Sequence, residues 1–122
     1  MTPIRLNYHA RNGLIFFRDE RMTATPEIWN PDGVWRNETC LAAGCLPDSE
    51  GPTMIVVADA AEAPKTNHLL FDGEIDFPSG FAVIDTVLDD VICEFPVAPG
   101  RHRVRLWTDG HKCTEILVFG LD

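Results

Sequence analysis

Residues 53–58 read Thr53-Met54-Ile55-Val56-Val57-Ala58, an apolar run bounded by Gly51-Pro52 before it and by Asp59 after it. The run is rich in β-branched side chains, which favour the pleated backbone of a strand. Because polar residues do not alternate with apolar ones, the pattern predicts a central strand covered on both faces.

The chain that follows repeats short apolar segments at a spacing of about ten residues. Turn residues separate them, including Phe77-Pro78-Ser79-Gly80, the corner Pro96-Val97-Ala98-Pro99-Gly100 and Asp109-Gly110. The predicted strands are His68–Phe71, Phe81–Asp85, Val91–Phe95, His102–Thr108 and Thr114–Phe119.

The chain before the run is regular at first and then irregular. Ile4 to His9 alternates apolar and polar residues as a half-buried strand does, Asn12-Gly13 predicts a turn with positive φ, and a second strand follows at Leu14–Arg18. Residues 19–52 have no clear period. We expect a turn at Asn30-Pro31-Asp32-Gly33. We also expect a short helical turn through Leu41-Ala42-Ala43, capped by Asn37 or Thr39 and ended by Gly44.

These segments together predict an all-β protein, since no stretch of useful length has the helical period. We expect one domain spanning residues 1–122, built as an antiparallel β-sandwich or an open barrel.

The charge of the chain restricts its partners. The net charge is −9, and residues 48–94 contain eleven acids against Lys65 alone. Nucleic acid is bound through Lys and Arg that neutralise phosphates, so we expect no direct binding of DNA or RNA. No apolar run reaches the length of a membrane span, and the first residues lack the apolar segment of a signal peptide, so we expect no membrane partner and a cytoplasmic protein.

The acid-rich stretch is open to two interpretations. Clustered carboxylates attract a basic protein and accelerate its association. They also keep a small domain soluble without any partner.

Residues that suggest catalysis or metal binding have ordinary structural explanations. His111 and Cys113 lie two apart, with His102, Cys40 and Cys45 elsewhere, but the spacing matches no zinc-site class. No nucleophile elbow, phosphate-binding loop or dinucleotide motif is present. We therefore predict no enzyme activity, no metal and no cofactor, and we expect the four cysteines to be mostly buried free thiols.

One basic island stands in the acidic half of the chain. Strand alternation places Arg101, Arg103 and Arg105 on one face, with Trp107 next in line. We expect these arginines to pair across strands with acids near Asp85 or Glu94, or to stack on Trp107.

The order of several segments resembles a known family. The segments are Leu6-Asn7-Tyr8-His9, the stretch from Trp35 to Gly44, Thr53–Val57, Gly80-Phe81-Ala82-Val83, the corner and strand from Phe95 to Val104, and the terminal strand Thr114–Phe119. In this order and with this Pro-Gly corner the chain resembles the competence protein J family, small acidic proteins that inhibit a DNA-entry nuclease.

The resemblance implies a protein that binds and inhibits a basic bacterial nuclease or toxin. A nuclease binds a polyanion in a basic cleft, and carboxylates held at phosphate-like positions can occupy that cleft. Charge density assigns the predicted contact to Asp72, Glu74, Asp76, Asp85, Asp89, Asp90 and Glu94, with Asp85, Asp89 and Asp90 as the first choice.

An alternative is a β-sandwich subunit of a larger protein assembly with no inhibitory role. In that case Trp29, Trp35 and Trp107 are the predicted anchors of the interface, because aromatic residues dominate binding hot spots.

Overall fold

The structure, a computed structural model, describes residues 1–21, 24–28, 33–87 and 91–122. These residues form ten strands and two short 3-10 turns, Arg11–Gly13 and Asp48–Glu50. The strands are β1 Ile4–Tyr8, β2 Leu14–Asp19, β3 Val34–Arg36, β4 Cys40–Gly44, β5 Thr53–Asp59, β6 His68–Phe77, β7 Phe81–Asp85, β8 Val91–Pro96, β9 Gly100–Thr108 and β10 Ile116–Leu121.

The strands form two five-stranded sheets that pack face to face, so the predicted sandwich is confirmed and the barrel is not closed. Sheet A has the order β1-β5-β10-β9-β6, and sheet B has the order β3-β4-β2-β7-β8. Strands β5 and β10 run parallel, and all other pairs are antiparallel. Within the ranges described there is no α-helix, and thus no helix that could cross a bilayer.

Phenylalanine rings from both sheets meet in the core. Phe17 of β2 lies 5.4 Å from Phe77 of β6, 5.1 Å from Phe119 of β10 and 6.0 Å from Phe95 of β8, measured between ring centroids. Tilted and edge-on rings at such distances add to the stabilisation from apolar burial. This cluster fixes how the two sheets sit on each other, and so fixes which strand ends become neighbours at the rim.

The apolar run that opened the sequence is confirmed as an interior strand of its sheet. β5 lies between β1 and β10, with Ile55 and Val57 in the main core. On its other face Val56 and Ala58 are also buried, together with Ala63 from the following loop. Cover on both faces explains why the run lacks alternation.

The predicted helical turn through Leu41–Ala43 is wrong. The segment is strand β4, which begins at Cys40 and pairs with both β2 and β3. Asn37 forms the β3–β4 turn, since its backbone N–H donates to Cys40 O and its side chain accepts from Thr39 N at 3.0 Å. Every residue of β4 is buried, so its sequence lacks the alternation that identifies an exposed strand. The turn predicted at Asn30–Gly33 falls largely on residues 30–32, which lie outside the described ranges.

The predicted turn at Asn12-Gly13 is confirmed. Both residues have positive φ, 56° and 61°. Gly13 also passes very close to the end of β4: a Cβ at this position would lie 2.5 Å from Cys45 O. Only glycine fits so close an approach. The turn that contains Gly13 joins β1 of sheet A to β2 of sheet B.

Candidate partner-binding surface

The outer face of β6 and β9 carries two adjacent rows of opposite charge. In the strand register Asp72 lies opposite Arg105, Glu74 opposite Arg103 and Asp76 opposite Arg101. The apolar residues between them point into the core, as strand alternation requires. The predicted acidic surface is therefore a ladder of mixed charge along β6. Arg103 pairs with Asp72 of β6, and Arg105 pairs with Asp122 at 2.7 Å, rather than with Asp85 or Glu94.

One step of this ladder is a two-point ion pair. Arg103 donates from Nε to Asp72 Oδ1 at 2.8 Å and from Nη2 to Asp72 Oδ2 at 2.7 Å. The hydrogen bond from Arg103 lowers the pKa of Asp72, and the same bond raises the pKa of Arg103. Asp72 is thus already engaged by its own sheet and is poorly placed to contact a partner.

Glu74 and Asp76 continue the row toward the rim of the sandwich. There the β3–β4 turn of sheet B meets the end of β6. The N–H of Asp76 donates to the carbonyl oxygen of Glu38 at 2.7 Å, and Arg36 Nη1 donates to the carbonyl oxygen of Glu74 at 3.1 Å. These bonds bring Glu38 beside the two predicted acids, although it lies 36 residues before Glu74 in the chain.

The carboxylates at this rim are available to pair with a group of another molecule. Within the described part of the chain, the side chains of Glu38, Glu74 and Asp76 form no hydrogen bond and no ion pair within 4.0 Å. Glu38 and Glu74 are exposed and Asp76 is half-buried. We call these three residues the rim acids. Arg36 and Arg101 lie near them and moderate the local negative potential.

Sequence reasoning missed Glu38 and Arg36. Both lie in the stretch without a clear period, and nothing in Asn37-Glu38-Thr39 indicates a position beside β6. Two sheets must first stack before these residues become neighbours.

Asp85 does not lie on an exposed surface, and its predicted role as a contact residue stays a prediction. Asp85 is 2% exposed. Its Oδ2 accepts hydrogen bonds from Arg18 Nε at 3.0 Å and from Arg18 Nη2 at 2.8 Å. The Arg18 side chain is itself only 13% exposed. A buried carboxylate paired with a guanidinium is expensive to expose, so this pair is structural.

The other predicted contact residues are dispersed. Glu94 is exposed on β8, an edge strand of sheet B, whereas the rim acids lie at the β6 edge of sheet A. Asp89 and Asp90 lie outside the described residues. The acid-rich stretch is therefore not one continuous surface.

Trp107 is not available as an interface anchor. It is 5% exposed on the outer face of sheet A, where it packs with Val56, Val118 and Ala63. Lys65 Nζ lies 5.6 Å from its ring centroid, and Arg105 Cζ lies 5.8 Å from it, which confirms the predicted stacking of an arginine on Trp107.

The other two tryptophans do not demonstrate an interface anchor for the alternative function, a subunit of a larger assembly. Trp35 is half-buried against Phe16, Cys40 and Ala42 on the outer face of sheet B. Trp29 falls outside the described residues.

All four thiols are free, and two of them are buried as predicted. Burial raises the pKa of Cys40 to about 12 and that of Cys45 to about 11. Burial also raises the pKa of the half-buried Cys93, while Cys113 is exposed. In the described ranges no three metal-binding side chains come together.

Comparison with known proteins supports the fold. A crystal structure of ComJ from Bacillus subtilis, described as an inhibitor of the DNA degrading activity of NucA, matches 99% of this chain and 94% of that chain. The TM-score is 0.69 and the sequence identity is 10%. The chain thus has a ComJ-like fold, and at this identity the likeness establishes the fold alone.

Sequence comparisons add no family assignment. No family model matches the chain. No curated protein sequence matches it either.

Proposed function

We propose that this protein binds a nuclease and inhibits it, and that it acts by binding rather than by catalysis. The observation that carries the proposal is the shared fold: nearly the whole chain matches a protein described as a nuclease inhibitor. Fold alone does not fix function, so the proposal needs a surface with suitable chemistry.

The rim acids supply that chemistry. A DNA-degrading enzyme must present cationic groups to a polyanion, and carboxylates from an inhibitor can meet those groups. Glu38, Glu74 and Asp76 are not consumed by ion pairs with described residues, so binding a basic partner does not require an internal ion pair to break. Close charge pairs across an interface have coupling energies of about 1.5–7 kcal/mol.

The charge ladder limits where the partner can contact β6. Asp72 is held by Arg103 through two hydrogen bonds, and the middle of the outer face is balanced by the arginine row. A basic partner is therefore best placed over the end of β6 and the β3–β4 turn. The arginines beside it would favour a partner surface that also presents some acidic groups.

A DNA-degradation assay tests the proposal. The purified protein would be mixed with NucA of Bacillus subtilis, and separately with the extracellular and DNA-entry nucleases of the organism that encodes this chain, at about 50 and 150 mM salt. We expect a stoichiometric loss of DNA degradation with at least one nuclease. Inhibition should be weaker at the higher salt concentration, because salt screens the electrostatic attraction.

Two measurements decide the outcome. Co-elution of the protein with that nuclease in size-exclusion chromatography would establish that inhibition arises from a complex rather than from binding to DNA. Undiminished degradation by every nuclease at both salt concentrations, with no co-elution, would contradict the proposal.

Exposed apolar residues keep the alternative, a subunit of a larger assembly, open to test. Phe81 is 47% exposed and Val91 is 55% exposed, at the two ends of the β7–β8 pair. Light scattering distinguishes the two functions in part, because a monomer at high concentration would rule out assembly from copies of this chain.

A further inference from the structure

Phe81 is an exposed aromatic residue at the same end of the sandwich as the rim acids. It is 47% exposed, and no other phenylalanine, tyrosine or tryptophan among the described residues is exposed. Its side chain lies on the outer face of sheet B, because the next residue, Ala82, packs in the core. Pro96 lies opposite Phe81 in the β7–β8 register and is also exposed. The two residues therefore form a small apolar patch.

Backbone hydrogen bonds place this patch beside acidic residues. The N–H of Glu20, the first residue after β2, donates to the carbonyl oxygen of Phe81 at 3.0 Å. The preceding N–H, that of Asp19, donates to the carbonyl oxygen of Thr39 at 2.9 Å. Thr39 follows Glu38, one of the rim acids. This end of the sandwich thus presents, strand by strand, a rim acid, Glu20 and the apolar patch.

Glu20 extends the unpaired negative charge of the rim acids toward Phe81. Glu20 is exposed, and its carboxylate forms no hydrogen bond and no ion pair with a residue that the structure describes. Arg21 follows it, is also exposed and moderates the local potential. A basic partner can therefore approach the apolar patch without breaking an internal ion pair of Glu20.

A buried carboxylate fixes the backbone that carries Phe81. Asp19 accepts hydrogen bonds from the N–H of Ser79 at 3.0 Å and from Ser79 Oγ at 2.6 Å. Ser79 Oγ accepts in turn from the N–H of Phe81 at 3.2 Å. Gly80 has φ +77° and donates its N–H to the carbonyl oxygen of Phe77 at 3.1 Å. A side chain on so constrained a turn has less freedom to lose on binding, which lowers the cost of association.

A single exposed apolar residue is common on protein surfaces and is not by itself a binding site. At Phe81, however, exposure coincides with a fixed backbone and with unpaired carboxylates on neighbouring strand ends. Protein interfaces combine a centre enriched in aromatic residues with a polar rim. Phe81, Glu20 and the rim acids have this arrangement.

One partner reaches all of these residues only by covering the end of the sandwich. Phe81 lies on the outer face of sheet B, whereas Glu74 and Asp76 lie on the outer face of sheet A. Stacked sheets are about 10 Å apart, and five strands at a spacing of about 4.8 Å span roughly 20 Å. A standard interface covers about 800 Å² on each partner, or roughly 30 Å across, and so is wide enough for this end.

We propose that Phe81 is the apolar anchor of the nuclease-binding surface and enters an apolar depression of the partner that basic residues border. Glu20 and the rim acids pair with those basic residues. The inference rests on the proposed function, since it names a contact within the same inhibitory surface.

Surface plasmon resonance tests the anchor on immobilised NucA of Bacillus subtilis, or on whichever nuclease the DNA-degradation assay finds to be inhibited. We expect Phe81→Ala to weaken binding about tenfold or more, mainly through faster dissociation, because a packed anchor is lost. Phe81→Leu keeps an apolar side chain and should stay within about threefold of the original affinity. Phe81→Thr should match Phe81→Ala, and it is a second test because threonine suits a strand backbone.

Two further variants separate the anchor from electrostatic attraction. Glu20→Lys should slow association at low salt and leave dissociation nearly unchanged. Leu69→Ala is the matched control, because Leu69 is 48% exposed but lies at the start of β6, at the opposite end of the sandwich. This control should keep the affinity within about twofold of the original. Thermal unfolding of each variant establishes that it is folded.

Three results would overturn the inference, with different consequences for the proposed function. If a nuclease is inhibited but folded Phe81→Ala and Phe81→Thr bind it with unchanged affinity, the anchor is wrong and the inhibitory function stands. If no nuclease is inhibited, both fail. If light scattering shows a dimer that Phe81→Ala converts to a monomer, a second copy of this chain covers the patch instead of a nuclease.

Discussion

Arg103 of β9 holds Asp72 of β6 with two parallel hydrogen bonds, of 2.8 and 2.7 Å, although the residue directly opposite Arg103 in the register is Glu74. The guanidinium thus reaches diagonally across the ladder. Because Arg103 pairs with Asp72, Glu74 lacks the ion pair that its register position suggests. The unpaired carboxylates of β6 therefore lie toward the rim of the sandwich.

The first prediction concerns the titration of Asp72. Because the hydrogen bond from Arg103 lowers its pKa, the carboxylate should titrate below the ordinary range of an aspartate. Arg103→Gln should move that titration upward. A lowered folded-state pKa contributes stability that is present above the unfolded pKa and lost as the pH falls, but here the effect on unfolding should be slight because both groups are exposed. Carboxyl ¹³C NMR measures the change, and an Asp72 titration unaffected by Arg103→Gln would contradict the pairing.

The second prediction concerns the rim acids. Replacing Glu38, Glu74 and Asp76 together by Lys should slow association with an inhibited nuclease by about tenfold or more at low salt, because electrostatic steering would become repulsion. Glu50→Lys is a suitable control, since Glu50 precedes β5 at the opposite end of the sheet. Surface plasmon resonance would report the association rates. An equal loss in the control and the rim variant would exclude a specific role for the rim.

The third prediction concerns Asp19, which is 1% exposed at the end of β2. Its carboxylate accepts from Ser79 N at 3.0 Å, from Ser79 Oγ at 2.6 Å and from Arg21 N at 2.9 Å. Asp19→Ala would leave these donors without their acceptor, and we expect a loss of about 2–4 kcal/mol in the free energy of unfolding by urea. Ser79→Ala removes one donor and should cost about 1 kcal/mol. A loss for Asp19→Ala no larger than for Ser79→Ala would refute the central role of the carboxylate.

The fourth prediction concerns Gly13. Gly13→Ala would place a methyl group 2.5 Å from the carbonyl oxygen of Cys45 and would hold alanine at φ +61°, so we expect a loss of about 2 kcal/mol or more. Gly33→Ala is a matched control, since among the described residues its new Cβ would meet Trp35 alone, at an ordinary 3.7 Å. Thermal unfolding of both variants is the measurement, and similar melting temperatures would show that the connection between the sheets yields easily.

The fifth prediction concerns thiol reactivity. At pH 8 the thiolate fraction of Cys40 should be about one in ten thousand, because burial raises its pKa to about 12. We expect an aromatic disulfide reagent to react quickly with the exposed Cys113 and to reach Cys40 and Cys45 only after unfolding. Cys113→Ser should abolish the fast phase. A fast phase that persists in this variant but disappears when the half-buried Cys93 is also replaced by Ser would come from Cys93, and one that persists in both would show that a buried thiol is accessible.

The same raised values set a dependence of stability on alkaline pH. Cys40 and Cys45 contribute stability that is complete below the unfolded thiol pKa of roughly 8.5. This contribution declines as the pH rises toward about 11 and 12, because the unfolded chain ionises first. Urea unfolding between pH 8 and 10 would measure the decline.

Strand positions were predictable wherever one face or both faces of a strand carry an unambiguous pattern. Ile4 to Tyr8 alternates, and Met54 to Ala58 is apolar throughout, so both strands were identified. Strand β4 was not, because Cys40-Leu41-Ala42-Ala43-Gly44 contains small residues that also suit a helical turn. Its strand conformation depends on hydrogen bonds to β2 and β3, which are not local.

The candidate surface was predictable only in part. Charge density selected Glu74 and Asp76, which are exposed and half-buried on β6 beyond the strand predicted at His68–Phe71. It also selected Asp85, which is buried against Arg18. Such a pair cannot be recognised from the sequence, since 67 residues separate Arg18 from Asp85.

The sequence by itself determined an acidic all-β chain, the positions of most strands and the glycine turns, because these follow from periodicity and from backbone sterics within a few residues. Only the tertiary structure decided which charges cancel and which remain. Strand register placed three arginines beside three acids of β6, and the stacking of two sheets brought Glu38 to the same rim. Such pairings arise from contacts between distant segments, so the acid-rich stretch became a charge ladder with free carboxylates at one end rather than a uniform negative face.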